Sequence, residues 1–398
     1  VKGVLENNFT GYSGSTWPQV YLNHLLGEEH GGSKFQGLLQ LLANPITWSI
    51  NPYQPGRPIS DVKREFGLEA VTKLASNENP AGPSPLALEA LQSLLPQINF
   101  YPDDNDLELK EALAEKFNVE RENLILGHGA TDILEIIVRA FVCPGDEVIS
   151  AHPSFPWFQI LGQMSGAINI VVPLRDDRHD LPAMAAKITS NTKVVFIANP
   201  NNPTGTIVDR DEICSFLRSV PDHVVVVMDE AYIEYVTRKE IDSLAYISQK
   251  PVIVVRTFSK IAGLAGLRIG FAVAEREIIR LLERVKQPFN TTALAHAAAL
   301  ASLQDREHLE RSRQMVTEGK QYLYPQFERL GVDYVRSEAN FVFVDFHQDS
   351  HTIADALLRQ GFIIRPMLDS CARITVGAPE QNAAFVTALA EVLSEESL

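Results

Sequence analysis

Apolar residues along this chain fall into two kinds of run that alternate. Val194–Ala198, Val224–Met228 and Val252–Val255 are continuous apolar stretches with no polar residue inside them. Uninterrupted runs of this kind predict strands buried on both faces, as in a mainly parallel sheet covered by helices. Asn123–Leu126, Glu147–Ser150 and Ile168–Val172 predict further strands of the same set. Between them lies helical spacing, at Pro83–Leu95, at Asp106–Phe117 with Asp106 as the expected N-cap, and at Thr131–Phe141. Strand and helix in alternation predict a large α/β domain of roughly 230 residues.

The pattern changes after Gln287-Pro288. A long helical region is predicted over Thr291–Leu330, followed by short strands at Val332–Val335, Phe341–Val344, Phe362–Arg365 and Arg373–Val376. Helices at Ile353–Gln360 and Pro379–Leu393 complete a smaller α+β domain. Gly, Ser and Asn are frequent near the start of the chain, where one short helix is expected near Phe35–Leu42. The expected organisation is an extension of unassigned role over 1–47, an arm with part of the small domain over 48–95, the large domain over 96–288, and the small domain over 289–398.

Composition narrows the partners. The 398 residues are 45% hydrophobic and 21% charged, a soluble globular balance. A formal net charge of −15 disfavours a general nucleic-acid or anionic-membrane surface, while leaving room for a local pocket of arginines. No apolar run reaches membrane-spanning length, and the first residues lack a basic region followed by an apolar core. Cys143, Cys214 and Cys371 are far apart and form no C-x-x-C pair, so neither a zinc site nor a disulfide framework is expected. A reducing, cytoplasmic setting fits that usage.

The chemistry centres on Lys260. It sits in Thr257-Phe258-Ser259-Lys260, just after the apolar run ending at Val255, with Arg268 shortly beyond. An amine on that turn can form a Schiff base, and two hydroxyls with a guanidinium can grip a phosphate. Asp229 ends the run Val224–Met228 and is followed by Tyr232, a carboxylate and a phenol at a sheet edge where α/β folds bind ligands. Asn202 lies in the turn Asn199-Pro200-Asn201-Asn202-Pro203-Thr204-Gly205. Gly129-Ala130-Thr131 stands between a strand and a helix, where free N–H groups bind phosphate. Phe155 follows another strand and offers an aromatic face.

Taken together, in this order and spacing, the motifs resemble the fold-type I pyridoxal-phosphate-dependent aminotransferases. Lys73-Leu74-Ala75-Ser76-Asn77-Glu78-Asn79-Pro80, Tyr101-Pro102-Asp103, Asp229-Glu230-Ala231-Tyr232 and Arg373-Ile374-Thr375-Val376-Gly377 resemble the histidinol-phosphate aminotransferase branch, over about 51–393. The resemblance implies pyridoxal 5'-phosphate as cofactor and Lys260 as the residue that carries it and shuttles the proton. It implies Asp229 at the pyridine nitrogen, Asn202 and Tyr232 at the phenolic oxygen, and Phe155 stacked on the ring. It implies Thr257, Ser259, Arg268 and the Gly129–Thr131 turn at the phosphate, with Tyr101 reaching the neighbouring subunit of a homodimer that shares its active sites. Substrate contacts are implied for Arg373, with Arg365 and Asn79 beside it, and a cis Asn202–Pro203 bond is expected. The implied reaction moves an amino group between histidinol phosphate and 2-oxoglutarate in histidine biosynthesis. The stretch 367–372 is shorter than the loop usual in such relatives, which leaves open an aromatic amino acid as donor, or a decarboxylase acting on a phosphorylated amino acid.

Overall fold

The computed structural model describes residue 39 and residues 42–395, apart from 51, 54, 55 and 239–241. Two compact units are distinguished, Val1–Ile50 and Asn51–Leu398. In the first, Pro45–Ser49 is a 3-10 turn whose start is capped by the Asn44 side chain, which accepts the Ile46 N–H at 3.1 Å. Most of the helix expected near Phe35–Leu42 lies outside the described residues.

The second unit is built on a seven-stranded sheet. Its strands are β2 (Leu124–Gly127), β3 (Glu147–His152), β4 (Ile168–Pro173), β5 (Thr192–Ala198), β6 (Val225–Asp229), β7 (Val252–Thr257) and β8 (Gly270–Ala274), in the order β2-β8-β7-β6-β5-β3-β4. β3 pairs parallel with β4 and β5, β5 with β6, and β6 with β7; β8 runs antiparallel to both its neighbours. Successive residues of each strand point to opposite faces. Val226, Met228, Val252 and Val254 therefore enter a core against Leu109, Leu113, Ala295 and Ala299, while Val225, Val227, Ile253 and Val255 enter another against Ile133, Ile137, Phe158 and Leu282. Each such side chain contributes about 1.5–3 kcal/mol of burial. Both faces are dry, which is why the runs are uninterrupted.

A smaller sheet of β9 (Asp333–Val335), β10 (Phe341–Asp345), β12 (Arg365–Pro366) and β13 (Cys371–Thr375) has the order β12-β13-β10-β9 and is wholly antiparallel. Val342, Val344 and Ile374 pack on Leu323, Phe327, Phe385 and Leu389. A two-stranded parallel pair joins β1 (Thr72–Lys73) to β11 (Phe362–Ile363).

Two expectations are corrected, one is refined, and one strand is additional. The apolar run Phe362–Arg365 is not one strand: Phe362–Ile363 and Arg365–Pro366 belong to different sheets. The region Thr291–Leu330 holds two helices, Ala293–Gln304 and Arg306–Leu330, with Asp305 capping the second by accepting the His308 N–H at 3.1 Å. β8 was not expected, because Gly270 and three alanine or valine positions carry a weak strand signal. Asp106 does not cap its helix through its side chain; its backbone is left-handed (φ 53°) and its buried carboxylate meets His296 Nε2 at 2.7 Å. Asp103 accepts the N–H groups of Asn105 and Leu107 at 3.0 and 3.3 Å instead.

Candidate active site

The carboxyl ends of β5, β6 and β7 converge on a cavity of about 240 Å³ that Lys260, Asp229, Tyr232, Asn202, Phe155 and Arg268 all line. This is the edge where open α/β sheets bind ligands. Ala130, Thr131, Thr257 and Ser259 line it as well. Residues from six separate stretches of sequence thus meet at one place.

Lys260 is carried past the end of β7 by a turn in which Phe258 N–H bonds the Ile269 carbonyl at 3.1 Å. Its Nζ donates to the Ser76 carbonyl at 3.2 Å and lies 5.6 Å over the Tyr232 ring. Burial pushes the amine down to about 8, with Arg373 and Arg268 adding repulsion against the pull of Glu78 and Asp229. An amine near 8 is neutral in roughly a tenth of molecules at neutral pH, hundreds of times more often than a free lysine. Asp229 is the last residue of β6, and among the described residues its carboxylate accepts from one donor, the Ala231 N–H at 3.1 Å. Burial raises its carboxyl to about 6. A cation placed against it would restore the charge.

At the other end is an anion cradle. Arg268, itself at φ 54°, donates from Nη1 to Ser259 Oγ at 3.3 Å and to the Ala265 carbonyl at 3.0 Å, and from Nη2 to Thr131 Oγ1 at 3.4 Å. Thr257 Oγ1 bonds Ser259 Oγ at 2.9 Å and accepts the Ser259 N–H at 3.0 Å. The helix Ala130–Phe141 starts here with no side-chain cap, since Gly129 occupies the N-cap position at φ 78°, ψ 171°. A Cβ on Gly129 would come within 2.3 Å of Arg268 Nη2, so glycine alone lets the guanidinium lie over the helix start. Uncapped N–H groups, the helix dipole and an arginine with no carboxylate partner among the described residues form a site for a phosphate.

Asn202 Oδ1 accepts from Arg373 Nη1 at 2.6 Å. Arginine cannot accept a hydrogen bond, so the amide is fixed with Nδ2 free to donate elsewhere. Arg373 also donates to the Ala75 carbonyl at 2.6 Å, while its buried Nε has no partner among the described residues. It forms no ion pair among the described residues, and a buried guanidinium left without a counter-charge is costly until an anion arrives. Arg365 faces Arg373 in the β12–β13 register, its guanidinium 5.8 Å from the Tyr53 ring.

Five expected residues are placed outside the cavity lining: Gly129 and Arg373, which touch lining residues as just described, and Tyr101, Asn79 and Arg365. Tyr101 is 81% exposed and stacks on Phe289 at 4.7 Å. Asn79 commits its amide to the Ile261 carbonyl at 2.8 Å, to Ser312 Oγ at 2.9 Å and to the Ala81 N–H at 3.0 Å. Those bonds fasten the segment beside Lys260 to the helix Arg306–Leu330. Arg365 reaches the site only through its neighbour on β13. Conversely, Asn77 went without a role in the sequence although it donates to the Tyr232 hydroxyl at 2.8 Å. The partners are 155 residues apart, and no local pattern joins them. The Asn202–Pro203 bond is cis, as expected, and so are His152–Pro153 and Asn199–Pro200. Among the described residues no group of His, Cys, Asp and Glu is placed to hold a metal, and no helix is long and apolar enough to cross a membrane.

A buried amine, a buried carboxylate, and an arginine beside a bare helix start thus surround one small cavity at the edge of an α/β sheet. This chain belongs to the class I and II aminotransferases, whose family model matches residues 69–389. Within that family its sequence is 51% identical to the histidinol-phosphate aminotransferase of Moorella thermoacetica, over 87% of this chain and 92% of that protein. It is 45% identical to histidinol-phosphate aminotransferase 1 of Nitrosococcus oceani, over 90% and 99%. The crystal structure of histidinol-phosphate aminotransferase from Sinorhizobium meliloti, in complex with pyridoxal-5'-phosphate, matches with a TM-score of 0.83 at 28% identity, covering 89% of this chain and 98% of that one. The fold-type I expectation is borne out.

Proposed function

We propose that this chain is a histidinol-phosphate aminotransferase that works with pyridoxal 5'-phosphate held in the cavity at the sheet edge. The observation that carries the cofactor is the cradle: Arg268 has no carboxylate partner among the described residues, and Gly129 leaves room for it over a bare helix start. Arg268, Ser259, Thr257 and the Ala130 and Thr131 N–H groups would hold the phosphate. Asp229 would hold a protonated ring nitrogen, Asn202 and Tyr232 the phenolic oxygen, and Phe155 a ring face. When bound, this cofactor supplies a carbonyl carbon that takes up amines and a ring that stores the electron pair left by Cα deprotonation.

The protein's own share is binding and proton handling. Lys260 Nζ, kept partly neutral by burial, would take a proton from the substrate carbon that bears the amine and return it at the cofactor's former carbonyl carbon. Asp229, as a carboxylate at the ring nitrogen, would keep that nitrogen protonated, and the positive charge held there is what favours proton loss at Cα. Arg373 is the anion contact for both partners of the exchange: histidinol phosphate brings a phosphate, and glutamate and 2-oxoglutarate bring carboxylates. Its Nε and the remaining N–H groups of its fork are available for them. Because donor and acceptor use one site in turn, ping-pong kinetics are expected.

The reading includes a homodimer. Ile98, Phe100 and Tyr101 are 64%, 69% and 81% exposed in one short stretch, an apolar run that a second copy would cover. Light scattering should give twice the chain mass, and Tyr101→Ala should weaken cofactor retention.

The test of specificity is a rate comparison. With pyridoxal phosphate supplied, histidinol phosphate should transaminate with 2-oxoglutarate far faster than phenylalanine does. A preference for phenylalanine would overturn the substrate, and repeated turnover of a phosphorylated amino acid with carbon dioxide release and no 2-oxoglutarate would point to decarboxylation instead.

A further inference from the structure

We propose that Asn77 is a positioning residue that decides where the Tyr232 hydroxyl proton points. Asn77 is 1% exposed and sits at φ 55°, in the left-handed region that asparagine and aspartate tolerate better than other side chains. Its backbone N–H donates to Thr375 Oγ1 at 2.9 Å, which occupies that oxygen as an acceptor. The Thr375 hydroxyl proton then goes to Asn77 Oδ1 at 3.2 Å. With Oδ1 receiving, Nδ2 faces the Tyr232 oxygen at 2.8 Å and donates to it. Asn340 Nδ2 donates to the Asn77 carbonyl at 3.0 Å and holds the same backbone from the other side.

A phenol has one proton to give. Since the Tyr232 oxygen already receives a hydrogen bond from Asn77, its own O–H need not turn toward that amide, and it donates to no protein acceptor among the described residues. Tyr232 lines the cavity, so the proton is directed there. Burial raises the phenol to about 12, and the charged and titratable groups around it include Arg373, Asp229, Tyr53, Tyr235 and, 5.6 Å over its ring, Lys260. None of these takes the proton in the structure. Asn77 therefore acts on the reaction through Tyr232: a donor amide behind the phenol makes it a donor in front. Asn202 is set in the same way by Arg373, so the Asn202 amide and the Tyr232 hydroxyl, both on the cavity lining, are each left with a proton to donate.

This inference rests on the cofactor reading above, and the two can be separated by titrating the visible band of the loaded enzyme with pH. Removing a donor from the ring oxygen should raise the pH at which that band changes. Tyr232→Phe is expected to shift it upward. Asn77→Asp keeps the shape and the backbone but can only accept, so it should draw the Tyr232 proton backward and shift the band upward by about one unit. The double variant should shift no further than Tyr232→Phe alone. An unmoved band in Asn77→Asp beside a moved one in Tyr232→Phe, or shifts that add, would overturn the role of Asn77. A wild-type protein with no visible band, or one that Tyr232→Phe leaves unmoved, would sink the cofactor reading and this inference with it. If Asn77→Asp does not fold, Thr375→Val and Thr375→Ser serve. The first lets the amide turn and should raise the band's pKa, whereas the second keeps both bonds and should not. Equal behaviour of the two would refute the proposal.

Discussion

Placing a methyl group on Gly129 tests the phosphate cradle without touching any charged residue. The backbone there (φ 78°, ψ 171°) lies in a region essentially restricted to glycine, and alanine in it costs about 1–3 kcal/mol of strain. The new Cβ would also stand 2.3 Å from Arg268 Nη2, well inside contact distance, so the guanidinium must move off the helix start. A charge-assisted hydrogen bond lost to a phosphate is worth about 1.5–3 kcal/mol, or roughly 10- to 150-fold in affinity. Gly129→Ala should therefore weaken pyridoxal phosphate by that factor in an absorbance titration of the apoenzyme. It should also abolish most of the thermal stabilisation that inorganic phosphate gives the unloaded protein. Gly145→Ala is the matched control: its φ is 89°, yet a Cβ there meets nothing within 4 Å. It should lose stability from strain and bind cofactor as the wild type does. If Gly129→Ala binds pyridoxal phosphate within a factor of two of wild type, the reasoning about Arg268 and the helix start is wrong.

Other outcomes follow from the buried groups. Lys260 reacts as the neutral amine, so cofactor capture by the apoenzyme should speed up with pH to a midpoint near 8, and a midpoint above 10 would contradict its burial. The Asp229 carboxyl, raised to about 6 by burial, keeps its proton in the folded apoenzyme at pH values where the unfolded chain has released it. Apoenzyme stability should accordingly fall by about 3 kcal/mol as pH rises from about 4 through about 6. Asp229→Asn should flatten that slope in denaturant titrations, and an unchanged slope would exclude Asp229 as its source. Arg256 meets Glu230 Oε2 through Nε at 2.9 Å and Nη2 at 2.7 Å with both side chains buried, so Arg256→Met should destabilise the protein by about 3–5 kcal/mol. A loss below about 1 kcal/mol would show that the buried pair adds little to the fold.

Much of the large domain was legible because its information is local. A strand buried on two faces must be apolar at every position, and Val194–Ala198 and Val252–Val255 announce that directly. β8 was not legible, for the opposite reason. Gly270 is small because a Cβ there would press on the Ala130 nitrogen at 2.8 Å and the Arg256 carbonyl at 2.9 Å, a demand made by neighbours more than a hundred residues away on one side. Asp106 misled in a similar way: its position matches a helix cap, but His296 from another helix claims the carboxylate. The run Phe362–Arg365 reads as one strand, and only the meeting of two sheets divides it at Ile364.

The sequence by itself determined the class of chemistry. Lys260, Asp229, Tyr232 and Asn202 each sit at the end of a strand or shortly after it, and Arg268 just before the next strand, where residue type and distance along the chain are enough to suggest an amine, a carboxylate and a phosphate grip. Tertiary structure alone decided how those groups are charged and aimed. Burial brings Lys260 down to about 8 and Asp229 up to about 6, and burial is a property of the packed molecule. Arg373 turns the Asn202 amide across 171 residues, and Asn77 turns the Tyr232 hydroxyl across 155. A hydrogen bond has a direction as well as a pair of atoms, and that direction exists only once the chain has brought both partners together.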